Sequence, residues 1–256
     1  ETRRCVQDLP SSQTAQFVID QPGAYYLGGD VTGEAGKSCI EIRCADVDLD
    51  GGGFTFHGVQ GTLSCIRVAA QGGVPVSNIE VYDCAFRSWQ ACCCDLATAS
   101  SCFISDCSFH GCVCPDDPVF GAGAVCRCGA GSEVSECDVR ACTGSVIRCG
   151  PSSLIHACSC VNGAGGAYRC GDASCVSDCF VVGNDSPAVA MVQCGDRCVV
   201  TDCDVRDCIG VAISCGSSCC IECCSVTGGS GGAIFCGSDC SCDDCAVLHH
   251  VGAGIS

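Results

Sequence analysis

The chain has 256 residues, a net charge of −17, 35 cysteines and 34 glycines, and only 5% of its residues are aromatic. The acidic charge argues against general nucleic-acid binding, and no apolar run approaches the ~20 residues that span a bilayer. Because a reducing compartment would keep so many thiols reduced, the composition predicts a secreted protein, extracellular or at the cell surface.

The elements divide into an N-terminal part and one long repetitive part. We expect residues 1–38 to form a cap and the first strands, and residues 39–256 to form a single continuous domain. Three short segments, Ile40–Ile42, Ile66–Val68 and Cys92–Cys94, share an alternating pattern in which apolar or cysteine residues are two positions apart. Such alternation is typical of short strands with one buried face.

From residue 128 onward the pattern becomes a regular repeat. A Cys-Gly dipeptide recurs at steps of 21, 21, 24, 21 and 21 residues, and a second cysteine follows nine residues after the first. The residue before the second cysteine is acidic in four of the six repeats, which suits a sharp turn with left-handed geometry. The six pairs are Cys128 with Cys137, Cys149 with Cys158, Cys170 with Cys179, Cys194 with Cys203, Cys215 with Cys224, and Cys236 with Cys245.

Identical repeats of short strands stack most simply as coils, with every strand parallel to its equivalent about 4.8 Å away. The sequence therefore predicts an all-β parallel β-helix, or β-solenoid, of about nine coils. Three segments, Gln21–Leu27, Cys39–Ile42 and Val47–Phe54, resemble the opening of bacterial pectate-lyase-like right-handed parallel β-helix proteins. The resemblance implies the right-handed fold, but it implies no single activity, because that superfamily includes lyases, hydrolases and adhesins.

The paired cysteines have three interpretations. A disulfide within each coil would join the six pairs named above. A metal site for Cu(I) or Zn(II) is the second, because a further cysteine four residues after the first gives three thiolates per coil. The third is that the cysteines are reduced and packed as small apolar side chains. The metal sets are Cys194, Cys198 and Cys203, then Cys215, Cys219 and Cys224, then Cys236, Cys240 and Cys245.

An outward-facing column of arginines is the best candidate for a binding surface. Four arginines fall between the apolar residue and the first cysteine of the strand pattern, and the last three of them should stack directly. They are Arg67, Arg127, Arg148 and Arg169. Stacked like charges favour a bound anion, so the column predicts an anionic polysaccharide or an acidic partner surface. Asn184 begins an Asn-Asp-Ser sequence, a weak glycosylation pattern because a proline follows it.

No cluster of carboxylates with a neighbouring base is evident, so we expect no catalytic residues and no cofactor. If the chain is an enzyme, it would be a polysaccharide lyase or glycoside hydrolase. Our leading hypothesis is a disulfide-stapled structural or interaction protein, a subunit of an extracellular assembly that associates end to end through uncapped coils. A thiol-rich metal-binding protein and a polysaccharide-binding or polysaccharide-cleaving protein are the alternatives.

Overall fold

The computed structural model describes residues 3–70, 75–114 and 123–255, and every strand in them pairs in parallel with its neighbours. The strands form three long sheets, which we name A, B and C. Along the chain the order B, A, C repeats, so that each passage through the three sheets makes one coil. This is the predicted parallel β-helix, and its all-β class is confirmed.

Sheet A contains eleven described strands: β1 (Arg4–Cys5), β3 (Gly23–Tyr26), β6 (Val47–Asp50), β9 (Val76–Tyr82), β12 (Ala99–Ser105), β15 (Glu133–Ser135), β18 (Leu154–His156), β21 (Cys175–Ser177), β24 (Val199–Thr201), β27 (Cys220–Glu222) and β30 (Ser241–Asp243).

Sheet B also contains eleven described strands: β2 (Ala15–Ile19), β5 (Ser38–Ile42), β8 (Ile66–Val68), β11 (Cys94–Leu96), β14 (Ala124–Cys128), β17 (Ser145–Cys149), β20 (Tyr168–Cys170), β23 (Val192–Gln193), β26 (Ile213–Ser214), β29 (Ser230–Phe235) and β32 (Val251–Ile255).

Sheet C contains ten described strands: β4 (Val31–Thr32), β7 (Thr55–His57), β10 (Ala85–Arg87), β13 (Ser108–His110), β16 (Asp138–Arg140), β19 (Ser159–Val161), β22 (Phe180–Val182), β25 (Asp204–Arg206), β28 (Ser225–Thr227) and β31 (Ala246–Leu248). A 3₁₀ turn occupies Val6–Asp8. Since β2, β3 and β4 already belong to the three sheets, the stack of about ten coils begins before the predicted boundary at residue 39.

The interior is a set of columns in which like side chains stack on one another. In sheet A, Val134, Ile155, Val176 and Val200 are fully buried and in register on successive strands. Nearer the N-terminus, sheet C carries a stack of Phe56, Phe86 and Phe109, with ring centroids 5.2 and 4.9 Å apart. Apolar burial along these columns supplies the main favourable free energy of the fold.

The corner between sheets A and C is a sharp turn at one residue with positive φ. Glu136, Asp178, Asp202 and Asp244 have φ between 50° and 53°, and Ala157 and Cys223 adopt the same geometry. The predicted left-handed turn is therefore confirmed. Acidic residues are favoured there because a short polar side chain tolerates this conformation better than most side chains do.

The glycine of each Cys-Gly dipeptide allows adjacent coils to approach closely. A Cβ atom added at Gly150 would lie 2.7 Å from the backbone nitrogen of Ala130, and one at Gly171 would lie 2.7 Å from that of Pro151. Real Cβ atoms do not come so near to backbone atoms, so the coil spacing leaves no room for a side chain there. This explains why glycine recurs at this position of the repeat.

We predict that Gly150→Ala lowers the free energy of unfolding by about 1–3 kcal/mol, because the backbone of the preceding coil must shift to make room. Urea unfolding measures this change. Gly29→Ala is the matched control, since a Cβ there would have no neighbour within 4 Å, and it should change stability by less than about 0.5 kcal/mol. Equal effects of the two substitutions would contradict the close-approach explanation.

Candidate functional site

The strand register of sheet B places the predicted arginines in one outward-facing column. Arg127, Arg148 and Arg169 are direct neighbours on β14, β17 and β20. Arg67 lies on β8, and Asp95 of β11 stands between it and Arg127. All four arginines are half-buried.

Two carboxylates in this column escaped the sequence analysis. The Asp95 carboxylate accepts a hydrogen bond from Arg127 Nη2 at 2.7 Å. Glu41, the neighbour of Arg67 on β5, forms ion pairs with Arg67 and with Arg43, the latter at 2.5 Å. These pairs place a carboxylate beside Arg67 and beside Arg127 in the N-terminal part of the column.

Glu41 is the most buried carboxylate of this column, with 4% of its side chain exposed. Burial alone would raise the pKa of Glu41, but hydrogen bonds from Arg67, Arg43 and Thr14 outweigh it and lower the pKa. Glu41 therefore stays ionised at neutral pH, as the anchor of the two guanidiniums.

A groove of about 470 Å³ runs along the C-terminal part of the arginine column. Its lining includes Arg127, Arg148 and Arg169 together with the Cys-Gly turns of three successive coils. On the far side of Arg169 the column continues with Gln193 and Ser214, which are uncharged.

Arg169 differs from the other arginines in its surroundings. Within the described part of the chain, no carboxylate lies within ion-pair distance of its guanidinium. The neighbouring strand position is the uncharged Gln193, so among the described residues the next member of the column gives Arg169 no counterion. A half-buried guanidinium of this kind favours an anionic ligand in the groove.

All 35 cysteines are free thiols in this structure. The two cysteines of each predicted in-coil pair belong to different columns. Cys158, for example, contacts Cys137 and Cys179 of the neighbouring coils, whereas Cys149 contacts Cys128. None of the six predicted pairs is a disulfide in this structure.

The column of second cysteines satisfies backbone groups at the corner between sheets A and C. The thiol of Cys158 donates to the carbonyl oxygen of Val134 at 3.6 Å, and that of Cys179 donates to Ile155 at 3.8 Å. The same contact recurs for Cys203, Cys224 and Cys245 at 3.6–3.7 Å. Each thiol is thus both a small apolar side chain and a weak donor to the preceding coil.

The additional cysteines of the predicted metal sets have another role. Serine occupies the same position in earlier coils, and the amide of Ser153 donates to Ser174 Oγ at 3.1 Å. In the later coils the amide of Cys198 donates to Cys219 Sγ, and that of Cys219 to Cys240 Sγ, both at 3.3 Å. Cys198, Cys219 and Cys240 therefore continue a ladder in which each side chain accepts a hydrogen bond from the coil before it.

The members of the predicted three-thiolate metal sets do not converge in the described residues. The members of each set, such as Cys194, Cys198 and Cys203, lie in three separate columns. Cys194 contacts Cys198, but Cys203 contacts Cys179 and Cys224. Nowhere in residues 3–70, 75–114 and 123–255 do three histidine, cysteine or acidic side chains converge as a metal site requires.

Burial keeps several of the interior thiols in the neutral form. It raises the pKa of Cys65, Cys92, Cys94 and Cys170 well above the value of a free cysteine, and it raises the pKa of Cys160 to about 12. A thiol must lose its proton before it binds a metal or attacks a disulfide. These cysteines are therefore structural at neutral pH.

Asn184 does not fit its predicted role as a glycosylation acceptor. It is 1% exposed and occupies the column position of Cys142 and Cys208. Its side-chain oxygen accepts a hydrogen bond from the amide of Gly163 at 2.8 Å, and its Nδ2 donates to Cys160 Sγ at 3.2 Å. A glycan on Nδ2 would have to break these contacts and leave the folded coil.

The family model of the right-handed β-helix region matches residues 64–247, and the chain belongs to this family. The match establishes the hand of the helix, which the resemblance to pectate-lyase-like proteins implied. A search of curated proteins gives no significant match. None of the described residues forms a helix that is long and apolar enough to cross a membrane.

Three solved structures are among those to which the chain is similar. An alginate lyase, AlyF-OU02, in complex with G6 is 9% identical with a TM-score of 0.46, and the match covers 98% of this chain and 60% of that one. The mannuronan C-5 epimerase AlgE4 A-module of Azotobacter vinelandii is 9% identical, with a TM-score of 0.33 and coverage of 98% and 96%. The Streptococcus pneumoniae surface protein and adhesin PfbA is 6% identical, with a TM-score of 0.27 and coverage of 95% and 91%. No statement about function follows from likenesses at this level.

We predict that Glu41→Gln lowers the free energy of unfolding at pH 7 by about 1.5–3 kcal/mol, because two charge-assisted hydrogen bonds are weakened. Since folding lowers the pKa of Glu41, its contribution is present above the unfolded pKa of about 4.3 and disappears as the pH falls. The difference from the wild type should therefore shrink in urea titrations below about pH 4. Glu34→Gln, which removes an exposed ion pair with Lys37, should have little effect.

We also predict that the reduced protein loses stability in alkaline solution. Unfolded cysteines ionise at about pH 8.5, whereas burial keeps thiols such as Cys65, Cys92 and Cys94 protonated, so their deprotonation favours the unfolded state. The stabilisation is complete below about pH 8.5 and decreases as the pH rises further. Melting temperatures from pH 7 to 10 in reductant measure it. Cys94→Val, which matches the aliphatic Ile66 of the adjacent strand, should reduce the slope, and a flat profile for the wild type would refute the prediction.

Proposed function

We propose that this chain is an interaction module that binds an anionic polysaccharide along the groove of Arg127, Arg148 and Arg169. The observation that carries the proposal is the alignment of three arginines on successive coils along a groove of about 470 Å³. That volume lies within the range of small-molecule binding sites. The proposal places the ligand outside the helix, where loops and sheet surfaces of solenoids commonly bind partners.

The chemistry of the ligand follows from the spacing and the type of the charged groups. Adjacent strands lie about 4.8 Å apart, so the guanidiniums form a straight row of positive charges. A linear polymer with a carboxylate or sulfate on each sugar presents its own charges in a row and can meet them in turn. Guanidinium groups bind such anions through paired hydrogen bonds, which gives directionality as well as charge attraction.

The overall charge of the protein sharpens this preference. With a net charge of −17, the protein repels polyanions from most of its surface. An anionic polysaccharide is therefore retained only where the arginines are concentrated. Nucleic acids, whose recognition depends on extended positive surfaces, are disfavoured for the same reason.

Binding without cleavage is the better-supported activity. Among the described residues that line the groove there is no carboxylate, histidine or lysine. General acid–base catalysis needs a group that titrates near the working pH and reaches the scissile bond. The groove offers guanidiniums, thiols and backbone groups, which suit binding and orientation.

We predict that the purified chain binds carboxylated or sulfated oligosaccharides, and that Arg169→Ala weakens this binding. The loss of a charge-assisted interaction costs about 1.5–3 kcal/mol, which is roughly a ten- to hundredfold rise in Kd. Isothermal titration calorimetry with oligogalacturonate and heparin-derived oligosaccharides measures it. Affinity should fall as salt increases, because screening weakens the attraction.

Arg87→Ala is the matched control for this experiment. Arg87 is exposed on sheet C, away from the groove, and its removal changes the net charge by the same amount. Its Kd should equal that of the wild type, and neutral cello-oligosaccharides should bind neither protein. If both variants lose affinity equally, or if no anionic oligosaccharide binds, the proposal is wrong.

A further inference from the structure

One coil departs from the pattern of the inward-facing apolar column in sheet A. Six residues after the cysteine of each Cys-Gly dipeptide, five coils carry an aliphatic residue that is fully buried: Val134, Ile155, Val176, Val200 and Ile221. The sixth coil carries Cys242, which the strand register places directly beside Ile221. A second sulfur therefore enters the interior at this coil, at a position that is otherwise purely aliphatic.

This exchange brings two thiols together across the corner between sheets B and A. Cys236 follows β29 and Cys242 lies on β30, and their Sγ atoms are 3.7 Å apart. In the preceding coil the equivalent positions are held by Cys215 and Ile221, which cannot form a covalent link. The contact thus results from one substitution in an otherwise constant repeat.

The hydrogen bonding of the two thiols differs from that of the cysteines at the corner between sheets A and C. Those cysteines donate to a carbonyl oxygen of an earlier coil, as Cys245 does to Ile221. Within the described part of the chain, Cys236 and Cys242 have only each other as hydrogen-bond partners. Neither thiol has to give up a contact with the backbone if the two sulfurs move closer.

Two other thiol contacts are less suited to covalent bonding. Cys126 and Cys128, at 3.9 Å, are alternate residues of one strand with parallel side chains, an arrangement that holds their Cβ atoms apart. Cys93 and Cys112, at 3.5 Å, are fully buried. Cys112 also donates to the carbonyl oxygens of Phe86 and His110.

We propose that Cys236 and Cys242 form a redox modification site that becomes a disulfide on reaction with a low-molecular-weight disulfide such as oxidised glutathione. One thiolate of the pair attacks a sulfur of the oxidant, which releases one glutathione thiolate and leaves a mixed disulfide on the protein. The second thiolate then attacks the protein sulfur and expels the second glutathione. Two protein thiols are oxidised, one glutathione disulfide is reduced to two thiols, and the two protons pass to these products.

The bond would close a short loop from residue 236 to residue 242 and fix one corner of its coil. Burial, together with the hydrogen bond to Cys242, raises the pKa of Cys236 to about 12. Since the thiolate is the attacking species, oxidation should be slow at neutral pH and faster in alkaline buffer. The link is thus expected to respond to the redox state of the surroundings.

The test is peptide mapping of the full chain after incubation with oxidised glutathione and alkylation of the remaining thiols. Cleavage before Asp239 separates the two cysteines, and tandem mass spectrometry of the fragments that stay joined until reductant is added identifies which cysteine is bonded to Cys242. Because Cys240 lies on the same fragment as Cys242, the experiment uses a Cys240→Ser background. Serine fits this position, since Ser132, Ser153 and Ser174 occupy it in earlier coils.

Two further variants make the result decisive. Cys242→Val restores the aliphatic residue of the other coils, and the joined fragments should disappear. Ile221→Cys in the preceding coil recreates the geometry there and should yield a new link to Cys215. If Cys236 is alkylated in full after oxidation, or is joined to Cys245 instead, the proposal is wrong.

Discussion

Every part of this protein depends on the in-register parallel stacking of its coils. Because the strands lie about 4.8 Å apart, each side chain rests on the side chain at the same position of the neighbouring coil. A side chain must therefore pack favourably against an identical or similar side chain. Apolar columns satisfy this requirement by burying surface, and the corner cysteines satisfy it by donating their thiol protons to carbonyls of the preceding coil.

The same constraint makes charge the most informative departure from the pattern. A column of identical guanidiniums is unfavourable unless counterions separate them. At the N-terminal side the chain supplies these counterions itself, through Glu41 and Asp95. Beyond Arg127 the column continues with two more arginines and then with Gln193. Along this stretch, where the groove lies, the next residue of the column is no longer a carboxylate.

The fold was predictable from the sequence, because the spacing of the Cys-Gly dipeptides and the apolar alternation are direct consequences of stacking. The partners of the arginines were not, since Glu41 is 26 residues from Arg67 and Asp95 is 32 residues from Arg127. Such irregular steps hide a shared column until the strand register is known. The role of Cys198 had a visible signal, because Ser174 stands at the same offset from its own Cys-Gly dipeptide, but a thiol also suggests metal binding and the offset alone cannot distinguish the two.

The corner thiols also give the stack a direction. Each one donates to a carbonyl oxygen that belongs to the coil before it in the chain, as Cys203 does to Val176. A coil that has already formed therefore presents acceptors in place, and the next coil brings the donors. Growth of the structure from the N-terminal end matches the order in which a ribosome delivers the segments, so the coils can be added one at a time as the chain is synthesised.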